Sequence, residues 1–128
     1  MSPRDFVAER MPVRVFRDDR ALATAAAAAA AAVVVDAQKT RGTANVMLAT
    51  GNSQIRVLAA LVTHHEIDWS AVSAFHMDEY VGIGIDHPAS FARYMRDRVV
   101  DVVHPGAFHR HRANSLLEFT PRRRRQEV

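Results

Sequence analysis

The 128-residue chain is 48% apolar, carries a formal charge of +3 and has no cysteine. That length supports one domain with a real core rather than two, and the lack of cysteine excludes disulfides, thiol catalysis and thiolate metal sites. The positive charge does not mark a nucleic-acid surface. Residues 1–109 hold 11 Lys/Arg against 12 Asp/Glu, a net of −1, whereas residues 110–128 hold 6 Arg against 2 Glu, a net of +4. The run Arg122-Arg123-Arg124-Arg125 could meet phosphates non-specifically, but it reads as a solvated terminus, and nucleic acid is not the expected partner. Arg4, Asp5, Glu9 and Arg10 break up the start, so no secretory signal is read there. No uninterrupted apolar run approaches a membrane span. The expectation is a soluble, cytoplasmic protein without a membrane partner.

In chain order, Met11–Arg17 alternates as a first short strand, Val13 and Val15 on one face and Arg14 and Phe16 on the other. Asp18-Asp19 then offers an N-cap to a helix reaching about Lys39. That helix holds eight consecutive alanines, Ala25–Ala32, the strongest intrinsic helix formers, and is expected to pack closely on a sheet. Thr40-Arg41-Gly42-Thr43 ends it. Asn45–Thr50 reads as a second, mostly apolar strand of the kind buried in a parallel sheet.

The turn that follows, Thr50-Gly51-Asn52-Ser53, precedes a helix with apolar positions at Ile55, Val57, Leu58, Leu61 and Val62. Helix-start N–H groups lack internal partners and sit at the positive end of the dipole, glycine admits close approach, and Ser53 adds a hydroxyl. The turn therefore suits an anion, although a plain N-cap at Asn52 or Ser53 would use the same residues. Val72–Met77 is the third strand. It runs into Asp78 and Glu79, and open α/β sheets place their sites beyond the carboxyl ends of their strands. Asp78 is thus either a chemical group at a crevice or the cap of a turn. Two successive βα units imply parallel strands. If the strands are neighbours, an anion at Gly51–Ser53 and the Asp78 carboxylate stand about 5–10 Å apart, the span of a sugar phosphate.

Val81–Pro88 is a glycine-punctuated loop, a candidate lid, with Asp86 and His87 read as turn and capping residues. Pro88 or Ser90 opens a helix through Phe91, Tyr94, Met95, Val99 and Val102. His104, His109 and His111 lack a carboxylate partner at ligand spacing and are read as surface histidines, with no metal site. After Asn114 the pattern decays. Residues 1–114 are expected to form the domain and 115–128 an irregular basic tail. About three parallel strands make a thin sheet whose edges invite self-association, so a homo-oligomer is a possible state.

Met47–Ser53, Phe75-His76-Met77-Asp78-Glu79-Tyr80-Val81-Gly82 and Asp86-His87-Pro88-Ala89-Ser90-Phe91 together resemble the glucosamine-6-phosphate deaminase/isomerase family, within the superfamily that also holds 6-phosphogluconolactonases. The likeness covers Val13 to Asn114, the N-terminal half of the family's pattern. It implies an α/β, Rossmann-like three-layer fold with a parallel sheet. It also implies aldose–ketose isomerisation with ammonia release from a phosphorylated amino sugar, with no cofactor and no metal. On this resemblance Asp78 is the base moving a proton between C2 and C1, while Thr50, Gly51, Asn52, Ser53 and Glu79 contact the substrate. A carboxylate in a partly desolvated crevice beside a second acid suits that step. Tyr80-Val81-Gly82 after the acid pair favours the deaminase branch, since lactonases usually place a basic residue there. Gln54 departs from the proline common in the family's phosphate turn. The family's second half, with a glycine-rich histidine segment and further phosphate-holding basic residues, has no counterpart in residues 115–128. The chain is accordingly expected to be truncated after about three strands, and weak or inactive by itself. A 6-phosphogluconolactonase-like hydrolase and a non-catalytic sugar-phosphate-binding module are the alternatives.

Overall fold

The computed structural model describes residues 4–111; the tail 115–128, with Arg122–Arg125, lies outside them. Strands β1 (Arg4–Ala8) and β2 (Met11–Val15) form an antiparallel hairpin in which Phe6 faces Val13. Helix α1 (Asp19–Arg41) follows and leads into β3 (Ala44–Leu48). A single turn of 3₁₀ helix at Asn52–Gln54 opens α2 (Ile55–Leu61), and β4 (Val72–His76) comes next. After a long loop, α3 (Phe91–Met95), a π-helical turn (Arg96–Val100) and α4 (Asp101–Val103) form one continuous helical stretch before β5 (Ala107–His109). β3, β4 and β5 make a parallel sheet in that order, with Leu48 level with His76 and Phe75 level with His109. The fold is α/β and Rossmann-like.

One expectation about the strands needs correcting. Met11–Val15 is a strand, but it pairs with Arg4–Ala8 and stands apart from the parallel sheet, whose third member is β5. Residues 107–109 are too few to show a period of two, and His109 masks the apolar signal of Phe108. Gly106 secures this strand. Its N–H donates to the Trp69 carbonyl at 3.0 Å, and a Cβ at Gly106 would stand 2.1 Å from the Ser70 carbonyl oxygen.

Helix α1 starts where the sequence places a cap: the Asp18 carboxylate accepts from the Ala21 N–H at 2.7 Å. It ends at Gly42, whose φ of 80° is left-handed and whose N–H donates to the Gln38 carbonyl. Both devices satisfy backbone groups that a helix leaves unpaired at its ends. Between them Ala23, Ala27, Ala31, Val34 and Ala37 form a buried stripe at helical spacing. Ala27, Ala31, Val34 and Ala37 pack with Ala44, Leu61, Ile67 and Val72, so the small side chains bring the helix close to β3, β4 and α2. α1 as a whole is also long and apolar enough to cross a membrane by length and composition, although it holds no uninterrupted apolar run of that length. Thr24 breaks the literal apolar run without making the helix polar, and the buried stripe shows it serving as a core helix.

A second cluster joins Leu58 of α2 to Met95 and Val99, with Leu48 and Phe108 against it. Leu48 takes part in both clusters. The described helices therefore cover one face of the sheet, as right-handed crossovers stepping repeatedly in one direction require. On the opposite face, Met47 is 64% exposed and Phe75 stacks on His109 with ring centroids 4.5 Å apart.

Candidate functional site at the carboxyl ends of the strands

β3 and β4 are neighbours in the sheet, so the crevice inferred from the sequence has a definite geometry. Leu48 and His76 are the last paired residues, and the Met77 N–H donates to the Leu48 carbonyl at 3.1 Å. Thr50 and Asp78 each lie two residues beyond that pair. They leave adjacent parallel strands, whose spacing is about 4.8 Å, and the structure brings the Thr50–Ser53 turn and Asp78 to the same end of the sheet.

Gly51 turns the chain with φ 117° and ψ 167°, a conformation that a Cβ would strain. No side-chain hydrogen bond caps the 3₁₀ turn or α2, so the alternative of a simple N-cap at Asn52 or Ser53 is not what the structure shows. The turn is held from elsewhere. The Tyr94 hydroxyl donates to the Gly51 carbonyl at 2.8 Å, and the Arg98 guanidinium lies 4.7 Å from the centre of the Tyr94 ring. Burial raises the Tyr94 hydroxyl above its ordinary pKa, against a smaller opposing effect of Arg98. The phenol therefore stays a donor near neutrality.

The two adjacent acids have opposite surroundings. Asp78 is exposed at the rim. Glu79 turns inward and brackets the start of α3: one oxygen accepts from the N–H groups of Tyr80 and Phe91 at 3.0 Å each, and the other from Ser90 Oγ at 2.8 Å and the Ala92 N–H at 3.0 Å. Burial pushes this carboxyl up, but the N–H groups of Ala92 and Phe91, the Ser90 hydroxyl and the Tyr80 N–H outweigh it. Together they hold Glu79 below the ordinary glutamate value. Ser90 is itself buried and accepts from the Arg93 N–H. Glu79 thus anchors the loop 80–90 to α3. His87 and Asp86 serve that loop as turn residues, His87 Nδ1 accepting from the Ala89 N–H and the Asp86 carbonyl accepting from Arg93.

Sequence reasoning missed Tyr94, which the helical spacing marks simply as an apolar-face position. It also missed the ring of His76, buried beneath the acid pair. His109 and His111 are exposed, but each is engaged: His109 stacks on Phe75, and the His111 N–H donates to His76 Nε2 at 2.9 Å. Among the described residues, no group of three or more potential metal ligands comes together.

Comparison with known proteins bears on the family and the fold. The profile of the family described as glucosamine-6-phosphate isomerases/6-phosphogluconolactonase matches residues 17–127. A glucosamine-6-phosphate deaminase of Bifidobacterium longum is 33% identical over 91 residues, which are 69% of this chain and 34% of the relative. One from an Arthrobacter species is 40% identical over 67 residues, 48% of this chain and 26% of the relative. Among solved structures, a 6-phosphogluconolactonase from Shewanella baltica superposes with a TM-score of 0.67 at 26% identity, over 74% of this chain and 40% of that one. A monomeric glucosamine-6-phosphate deaminase gives a TM-score of 0.69 at 23% identity, over 78% and 42%, and so speaks for the fold alone. The chain thus spans about a third or less of the length of these curated relatives. On the extent of the profile match, it belongs to the glucosamine-6-phosphate isomerase/6-phosphogluconolactonase family.

Proposed function

We propose that this chain is the sugar-phosphate crevice of a cytoplasmic glucosamine-6-phosphate deaminase/isomerase-like enzyme, residues 1–114 forming the N-terminal part of its domain. The supporting observation is the β3–β4 register, which sets the Thr50–Ser53 turn and Asp78 side by side while Glu79 is bonded away into α3. Of the two acids, the exposed one can meet substrate. In this reading the uncapped turn, with the backbone N–H groups and hydroxyl of Thr50, Gly51, Asn52 and Ser53, receives the phosphate. Asp78 takes the proton from C2 and returns it at C1 through an enediol-type intermediate. Glu79, read from sequence as a substrate contact, becomes a positioning group that fixes Asp78 through the adjoining main chain. Turnover calls on further groups that residues 4–111 do not supply, so the isolated chain is expected to bind more readily than it turns over.

The test is an assay of ammonia release and fructose 6-phosphate formation from glucosamine 6-phosphate. Where the chain shows turnover, alone or with the remainder of a relative added in trans, Asp78→Asn should lower it by about 10²–10⁴-fold, the usual worth of a general base. Asp78 is exposed, so the substitution should leave stability within about 0.5 kcal/mol. Turnover that survives Asp78→Asn would remove the proposed base. Hydrolysis of 6-phosphogluconolactone with none of the amino sugar would favour the lactonase branch. Saturable phosphosugar binding without any turnover would leave a binding module.

A further inference from the structure

The chemistry proposed above makes no use of His76. This side chain is 2% exposed, at the carboxyl end of β4, on the helix-covered face with its register partner Leu48. Its Nε2 accepts the His111 N–H at 2.9 Å. A ring nitrogen that accepts carries no proton, so the neutral ring holds its proton on Nδ1. That Nδ1 is buried and makes no well-formed hydrogen bond among the described residues, although the Asp78 main chain favours a proton on the ring. A buried orphan donor destabilises a fold, and what the ring supplies in return is its bond to His111. The His111 ring stands edge-on to His76, with centroids 5.1 Å apart and planes at 73°, and its Nε2 lies 3.3 Å from the Met77 carbonyl. The segment leaving β5 is thereby closed onto the main chain immediately before Asp78.

We propose that His76 is a positioning residue of the Asp78 crevice, its neutral ring latching the segment at His111 to the end of β4 and so fixing the main chain that carries Asp78. What the crevice holds rests on the sugar-phosphate reading above; the latch itself does not. Protonation would place a hydrogen on Nε2, abolish the acceptor and release His111. Burial opposes that protonation, as does the neighbouring His111, while the Asp78 main chain and the carboxylates of Glu79 and Asp78 favour it; burial prevails, and the ring is held below its ordinary value of 6.5. The latch is accordingly closed near neutrality and opens on acidification.

The test uses the full chain with ¹⁵N-labelled histidine, beside His76→Gln, whose amide oxygen can accept without titrating, and His76→Leu, which cannot accept. Expected are the Nδ1–H tautomer at neutral pH and a His111 amide protected from exchange in the wild type and in His76→Gln. Acid should remove that protection from the wild type but not from the glutamine variant. In folded His76→Leu the amide should exchange at least about tenfold faster, and affinity for glucosamine 6-phosphate should fall about tenfold, the worth of one hydrogen bond. An Nε2–H tautomer would overturn the proposal. So would equal His111 protection in a folded leucine variant or, should leucine not fold, a glutamine variant losing protection in acid as the wild type does. If the wild type binds no glucosamine 6-phosphate, the sugar-phosphate reading fails, while tautomer and exchange still decide the latch.

Discussion

Glu79 and Asp78 show how neighbouring identical chemistries are assigned different work by what surrounds them. Glu79 receives four hydrogen bonds from residues 80 and 90–92, an arrangement that stabilises the ionised form. Its folded pKa is depressed below 4.5, so its contribution to stability is full above that value and is lost as pH falls through the lowered one. Glu79→Ala should cost about 2 kcal/mol near neutrality, as for a lost helix cap that also strands buried N–H groups. It should also flatten the acid limb of a urea-midpoint profile as pH falls from the ordinary glutamate value of 4.5 through the lowered one. An alanine variant with an unchanged profile would show that the bracket carries no weight. The assignment of Glu79 was hidden in the sequence for a physical reason: apart from the adjacent Tyr80, its partners lie 11 to 13 residues ahead, whereas a local capping pair is separated by three.

At the scale of elements, the two βα units and both ends of α1 were legible because their signals are local. Asp18 sits directly before the helix that carries the alanine run, and Gly42 directly after it. Ser90 was likewise legible as the start of α3. Strand β5 was not, having three residues of which one is a histidine, nor was the pairing of Met11–Val15 with the charged segment Arg4–Ala8, which alternation alone does not specify. The π-helical turn at Arg96–Val100 has no sequence mark that separates it from the apolar spacing around it. β5 makes its own prediction. Gly106→Ala forces a methyl group into the Ser70 carbonyl and should destabilise the chain by about 3 kcal/mol, the upper range for overpacking. Thermal or urea unfolding measures it, and a neutral effect would mean that β5 does not dock against residues 69–70 as described.

For the whole molecule, the sheet has one face beneath the described helices and another on which Met47 is largely exposed. Met47→Lys should therefore change stability by less than about 0.5 kcal/mol, as surface substitutions do. Val46→Lys, one residue away and packed against the α1 cluster, should cost several kcal/mol, on the order of a charge left unpaired in a core. Equal effects from the two would deny the register. That register also carries the functional account, because it puts the Thr50–Ser53 turn and Asp78 on adjoining strand ends. The most direct measurement is an NMR titration of the wild-type chain with glucosamine 6-phosphate, reading backbone amide shifts. Saturable shifts concentrated together at Gly51–Ser53 and at Asp78 are the predicted result. Saturable shifts at one of these segments without the other, or binding centred elsewhere on the chain, would contradict the crevice.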